Sequence, residues 1–254
     1  MFSLQDKAAF ITGAAGGIGF AVAQRFTEAG ARVVIADIVD GSLAAEEAGA
    51  HFLRIDVSSE DSVAAAIERA TELVGTLDVV VNNAGVGDVG PTLEETDRQL
   101  LERTTAINQW GVFYGLKHAP SHMNDGGSII NTSSLAAAIS LPGNGVYSAT
   151  KRAVLSLTEM AALELGRRGI RVNAVCPGYV DTALGSGDEG RALCEAFTAL
   201  GRFATTDDVV GVFHFLAADE SRYITGQAIN VDGGWSCGPT SQLLEKIIGS
   251  DQVS

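Results

Sequence analysis

The sequence predicts one doubly wound α/β domain, a parallel sheet with helices on both faces. Three observations predict it. Short apolar runs alternate with amphipathic helical stretches along the whole chain. The first run ends in a glycine-rich loop, Thr12-Gly13-Ala14-Ala15-Gly16-Gly17-Ile18-Gly19, that opens a helix. A chain of 254 residues, 46% hydrophobic and 19% charged, can bury one large core, and no repeat or linker divides residues 1–254.

Lys7–Thr12 reads as a buried strand. After the loop, Phe20, Ala21, Val22, Ala23 and Phe26 carry helical spacing, closed by Gly30 as a C-terminal cap. Arg32–Asp37 is a second buried strand, Leu43–Ala48 a short helix, and Phe52–Ile55 a third strand ending at Asp56. Ser58 or Ser59 caps a helix whose apolar stripe is Val63, Ile67, Ala70 and Val74. Leu77–Val81, the fourth strand, runs into Asn82-Asn83-Ala84-Gly85. One long helix is expected over Asp97–Lys117, a fifth strand over Ser128–Asn131, and a helix from Tyr147 to about Arg167. Ile170–Val175 is the sixth strand, and residues 183–200 suit a mobile substrate flap. A helix opens at Thr206-Asp207-Asp208 and ends near Ala218, and Gln227–Val231 is the last strand. The tail, residues 236–254, suits surface packing or subunit contact.

Composition removes several function classes. A net charge of −14 argues against nucleic acid, an anionic membrane or a strongly acidic protein as partner. No apolar run reaches the length of a membrane span, and the first residues lack the pattern of a signal peptide, so a cytoplasmic location is expected. Cys176, Cys194 and Cys237 are widely spaced and suit reduced thiols; the four histidines are scattered, and no metal is expected.

The residues that carry chemistry fall at strand ends. A strand, a glycine loop and a helix N-terminus form an anion site, with backbone amides and the helix dipole facing a pyrophosphate. Gly13 permits the tight turn, while Gly17 and Gly19 allow close approach around Ile18. Asp37 ends the second strand, where a carboxylate accepts hydrogen bonds from ribose hydroxyls and repels a 2′-phosphate. No arginine or lysine stands at Ala14, Ala15 or Ile38, so the expected cofactor is NAD. Asp56 and Val57 could hold an adenine ring, and Asn83, Ala84 and Gly85 let the backbone pass close to the cofactor. Tyr147 and Lys151 stand at i and i+4 on one helix, so an ammonium could stabilise a phenolate.

Together these motifs, with Asn108, Ser134 and Pro177-Gly178, make the chain resemble the short-chain dehydrogenase/reductase family from Lys7 to about Trp235. The resemblance implies a Rossmann fold in a single NAD-binding domain. It implies Tyr147 as general acid/base, Lys151 lowering its pKa and binding the nicotinamide ribose, and Ser134 holding the substrate oxygen. Ser133 is the neighbour that could be confused with Ser134, and the family spacing prefers Ser134. Asn108 would hold a water that relays protons from Lys151. Pro177 and Gly178 would belong to the cofactor site, and Thr182 and the backbone of Val180 would orient the carboxamide. A homotetramer or homodimer is implied, with the helices of Asn108 and Tyr147 pairing across two-fold axes.

The i, i+4 spacing of Tyr147 and Lys151 favours interconversion of C–OH and C=O, because related enoyl reductases place the lysine further away. The substrate loops are small and apolar, with Ala136 and Leu184 among the expected contacts. They point to an uncharged, moderately hydrophobic secondary alcohol or ketone. Reduction of a 3-oxoacyl-[acyl-carrier-protein] is the main alternative, opposed by Asp37 and the −14 charge. A non-catalytic NAD-sensing scaffold is the second.

Overall fold

Seven strands among the described residues form one parallel sheet. In chain order they are β1 (Ala8–Thr12), β2 (Arg32–Asp37), β3 (His51–Arg54), β4 (Leu77–Asn82), β5 (Met123–Thr132), β6 (Arg171–Pro177) and β7 (Ala228–Val231). The computed structural model describes residues 2–87, 90–182 and 188–249. The order across the sheet is β3-β2-β1-β4-β5-β6-β7, and every neighbouring pair is parallel. The direction of winding reverses between β1 and β4. Ligands of such sheets bind beyond the carboxyl ends of the strands at that reversal.

Burial on both faces explains the unbroken apolar runs. Ala9 and Ile11 of β1 pack with Val33 and Ile35 of β2 into one core. Ala8 and Phe10 point the other way, with Val34 and Ala36, into a second. The first core is closed by α1 (Gly17–Glu28) and α8 (Thr206–Ala217) through Val22, Phe26, Val209 and Phe213. The second is closed by α3 (Glu60–Val74) through Val63, Ile67, Ala70 and Val74, the stripe expected from sequence. A short helix α2 (Ser42–Ala48) joins β2 to β3. Ser59, rather than Ser58, caps α3 by accepting from the Ser62 amide.

The helix expected over Asp97–Lys117 is continuous from Arg98 to His118 but contains a π turn. It divides into α4 (Arg98–Thr105), a π turn (Ala106–Trp110) and α5 (Gly111–His118). Side-chain spacing alone does not reveal this, because a π turn adds one residue without breaking the helical path. Within the turn, the buried Asn108 amide exchanges two hydrogen bonds with the backbone of Val86. The fifth strand is also longer than expected, beginning at Met123.

The Tyr147 helix is α6 (Gly145–Leu165), extended by a 3₁₀ turn through Arg168. It lies over β6 and lends Ala161 and Ala162 to the second core. The apolar half of the expected flap forms α7 (Asp188–Phe197). A last helix, α9 (Ser241–Ile248), lies in the tail. No helix among the described residues is long and apolar enough to cross a membrane.

Candidate active site

The glycine loop is locked to the end of β4 by backbone approach. Gly13 has φ +65°, and a Cβ there would lie 2.5 Å from Ala84 Cα. The Thr12 hydroxyl accepts hydrogen bonds of 3.1 Å from the amides of both Asn83 and Ala84. The Asn83 amide group donates to the carbonyls of Thr12 and Gly13, and its oxygen accepts from Thr132 Oγ1. Three strand ends are thereby held together. Gly19 serves this packing rather than the cavity, since a Cβ on it would overlap Gly13 O.

Helix α1 begins at Gly17 with Gly16 as N-cap, and no side chain caps it. Its first amides are free to face an anion. A Cβ on Gly16 would meet nothing within 4 Å, so the space above the loop is open. That space is one end of a cavity of ≈ 470 Å³ that runs past Ile18, Asp37 and Val57 to Ser134 and Tyr147. Asp37 stands at the near end, its Oδ2 accepting from the Ala15 amide at 3.0 Å and its Oδ1 from Val39 at 3.2 Å. Each oxygen keeps a lone pair for a further donor. Asp56 also lines the cavity, though its Oδ1 is engaged by the amide and hydroxyl of Ser58.

Ser134, Tyr147 and Lys151 line the same cavity with Gly85, Ala136, Pro177, Gly178 and Val180, while Thr182, also in the lining, lies against Gly17 at the start of α1. Ser134 Oγ accepts from the Ala136 amide at 3.1 Å, which leaves its O–H free to donate. Ser133 is buried and committed elsewhere. Its amide donates to Val175 O, and its hydroxyl donates to Lys151 O at 2.8 Å. Of the two serines, Ser134 is the one whose hydroxyl stands at the cavity beside Tyr147, while that of Ser133 is committed to the backbone of Lys151.

Lys151 is buried and donates to Thr132 O at 3.0 Å. Burial pushes its pKa down to about 8. Its Nζ lies 5.7 Å from the centre of the Tyr147 ring. The expected depression of the tyrosine does not appear in this arrangement. Burial holds the Tyr147 phenol above its ordinary value, and the hydrogen bond with Ser134 only partly opposes this. Desolvation thus disfavours the charged form of both groups.

Asn108 is fully buried and does not line the cavity. Its oxygen accepts from Val86 N at 2.8 Å, and its nitrogen donates to Val86 O at 2.8 Å and to Thr150 Oγ1 at 3.3 Å. The side chain holds the loop after β4, and a Cβ on Gly85 would lie 3.2 Å from both Asn108 Oδ1 and Lys151 Nζ. Leu184 lies outside the described residues. Within residues 183–200, Leu193 and Phe197 do not line the cavity but pack against Leu135, Ile139, Leu141 and Tyr179, which do, and Leu200 is 68% exposed.

Sequence reasoning missed Tyr179 and Ile107, which also line the cavity. Tyr179 directly follows Pro177-Gly178 at the end of β6, and that position was the signal available. Among the described residues the cysteines Cys176, Cys194 and Cys237 are free, with Cys176 and Cys194 buried.

A parallel sheet with its cavity at the winding reversal defines a Rossmann-type α/β protein. A family model described as Enoyl-(Acyl carrier protein) reductase matches residues 13–236. Cis-4-hydroxycyclohexanecarboxylate dehydrogenase of Sinomonas cyclohexanicum is 41% identical, over 91% of this chain and 97% of its own. The mitochondrial borneol dehydrogenase of Lavandula x intermedia is 42% identical, over 92% of each chain. A blue fluorescent protein from a metagenomic library, solved in complex with NADPH, superposes with a TM-score of 0.87 at 34% identity, covering 92% of this chain and 99% of its own. The chain belongs to the short-chain dehydrogenase/reductase family, whose members work with a nicotinamide cofactor.

Proposed function

We propose that this protein is an NAD-dependent dehydrogenase that interconverts an uncharged, moderately hydrophobic secondary alcohol and its ketone. One observation carries the reading: a single cavity has Asp37 at one end and Ser134 with Tyr147 at the other. The residues fit a dinucleotide, because an open glycine loop with uncapped amides faces the near end. When bound, its nicotinamide supplies the hydride acceptor or donor. Gly13, Gly17, Ile18 and the α1 amides hold the pyrophosphate, and Asp37 accepts from ribose hydroxyls. Ser134 Oγ donates to the substrate oxygen. Tyr147 Oη takes the hydroxyl proton in oxidation and returns it in reduction. Lys151 holds a positive charge beside that proton, and Asn108 keeps the Val86 backbone in place behind it.

The preference for NAD rests on Asp37, whose charge opposes a 2′-phosphate. An uncharged substrate is supported by the lining, in which the charged side chains are Asp37, Asp56 and Lys151. Arg202 pairs with Asp208 and Arg191 lies over the Phe203 ring, so neither serves a substrate carboxylate. The two named relatives act, by their names, on cyclic alcohols, one of them bearing a carboxylate, so they favour a ring in the substrate while the case for an uncharged one rests on the lining. A homotetramer is supported by exposed Leu101, Trp110 and Phe113 on α4 to α5 and by Met160 and Leu163 on α6. Such apolar side chains are suited to a second copy of the chain. The test is reduction of NAD followed at its absorbance with a panel of cyclic and open-chain secondary alcohols. Oxidation of cyclic alcohols with NAD is expected. Tight NAD binding without turnover would support the scaffold reading instead.

A further inference from the structure

Apart from the two main cores, a third apolar cluster gathers Leu135, Cys194, Phe203 and Trp235 with Ile139, Leu141, Tyr179, Leu193 and Phe197. At its centre three aromatic rings lie nearly parallel. Trp235 stacks on Tyr179 with centroids 5.5 Å apart and planes at 18°. The same ring also stacks on Phe197 of α7 at 5.2 Å and 10°. Tyr179 is part of the cavity wall, beside Leu135, Ile139 and Leu141. One ring of the cluster therefore touches the substrate space, and another belongs to α7.

The turn after β7 fixes the Trp235 ring. The Asp232 carboxylate accepts from the amides of Gly234 and Ser236, both at 2.9 Å. Trp235 itself is 6% exposed. The same segment holds the end of α7: the Leu200 amide donates to Gly233 O at 3.2 Å, and Thr240 Oγ1 donates to Ala196 O at 3.1 Å. Phe203 meets Tyr179 edge-on at 6.0 Å and completes the support. Stacked aromatic pairs contribute roughly 0.5–1.5 kcal/mol beyond their burial, so two such pairs can decide where a surface helix rests.

We propose that Trp235 is a positioning residue for substrate selection: stacked on both Tyr179 and Phe197, it fixes the cavity wall at the width of a cyclic secondary alcohol. The proposal rests on the dehydrogenase reading for its substrate and on the ring geometry for its mechanism. Removing the Trp235 ring frees Tyr179 to swing and α7 to lift. The hydroxyls of Ser134 and Tyr147 and the glycine loop are held by other contacts and keep their places. Fit to a bulky ring is lost while the chemistry is kept.

The test compares wild type with Trp235→Ala, Trp235→Phe and Phe197→Ala, the last removing only the Phe197 ring in case the first fails to fold. KM and kcat are measured for cyclohexanol and propan-2-ol, with the Kd for NADH and the rate of tryptic cleavage after Arg191 and Arg202. For Trp235→Ala and Phe197→Ala, the KM for cyclohexanol should rise on the order of tenfold. Values for propan-2-ol and for NADH should hold, and cleavage should accelerate. Trp235→Phe should restore both. Equal loss on both alcohols with weaker NADH binding, or unchanged cleavage, would overturn the proposal. Wild type that oxidises neither alcohol would overturn the dehydrogenase reading, while the cleavage rates still support or overturn the clamp.

Discussion

The Ser133 hydroxyl donates a 2.8 Å hydrogen bond to the carbonyl oxygen of Lys151. One residue of the loop after β5 thereby fixes the turn of α6 that carries the ammonium. Its neighbour Ser134 keeps a free hydroxyl in the cavity, so adjacent serines divide the work. Ser133→Ala removes one buried hydrogen bond, worth about 1 kcal/mol. Its Tm should fall by roughly 2–4 °C. Ser134→Ala should leave Tm in place and lower kcat on the order of 10²-fold. Thermal melts and steady-state rates on the two variants check the division; the reverse pattern would exchange the two roles.

Tyr147 is held above its ordinary pKa by burial. At neutral pH the phenol is protonated, which suits donation to a ketone. Oxidation needs the phenolate and should accelerate as pH rises, while reduction slows. Tyr147→Phe should abolish both directions and leave NADH binding intact. Initial rates in each direction from pH 6 to 10, with a binding titration on the variant, test this. Retained turnover would move the general base elsewhere.

Lys151 has its pKa pushed below 10.5 to about 8 by burial. Between those two values the unfolded chain holds the proton more tightly than the folded one, so this residue's contribution to stability increases with pH. Below the window both states are charged and burial of the ammonium costs roughly 3 kcal/mol. Urea unfolding of wild type and Lys151→Met at pH 7.5 and 9.5 should show wild type gaining on the variant at the higher pH. A constant difference would place the ammonium in better solvation than its burial implies.

Asp37 offers both oxygens to the near end of the cavity. Asp37→Ala should lower kcat/KM with NAD and raise it with NADP. Kinetics with each cofactor decide it. A wild type that already prefers NADP would sink the ribose argument.

Much of this was legible in the chain because it is local. The glycine loop, the strand end at Asp37 and the Tyr147/Lys151 pair are fixed by spacing within one element. Alternation of core faces followed from unbroken apolar strands. What escaped the sequence depends on distant partners or on burial. Asn108, in the π turn, binds Val86, on another strand's loop. Tyr179, Trp235 and Phe197 are far apart in the chain and meet only when β6, β7 and α7 are assembled. The shift on Tyr147 was misjudged because spacing reveals the cation but not the desolvation around it.

A π turn is, in its arithmetic, one residue more than an α-helix requires. Each residue of an α-helix advances the face by about 100°. Deleting any one residue of Ala106–Trp110 would let α4 and α5 fuse into a regular helix, and everything on one side would rotate by that angle. The Asn108 grip on Val86 and the outward set of Trp110 and Phe113 would then be incompatible. The turn at Ala106–Trp110 therefore makes this stretch intolerant of a change in length even where it would accept changes in side chain. A lineage that gained the extra residue could not shed it without rebuilding both the loop beneath the site and the surface above it.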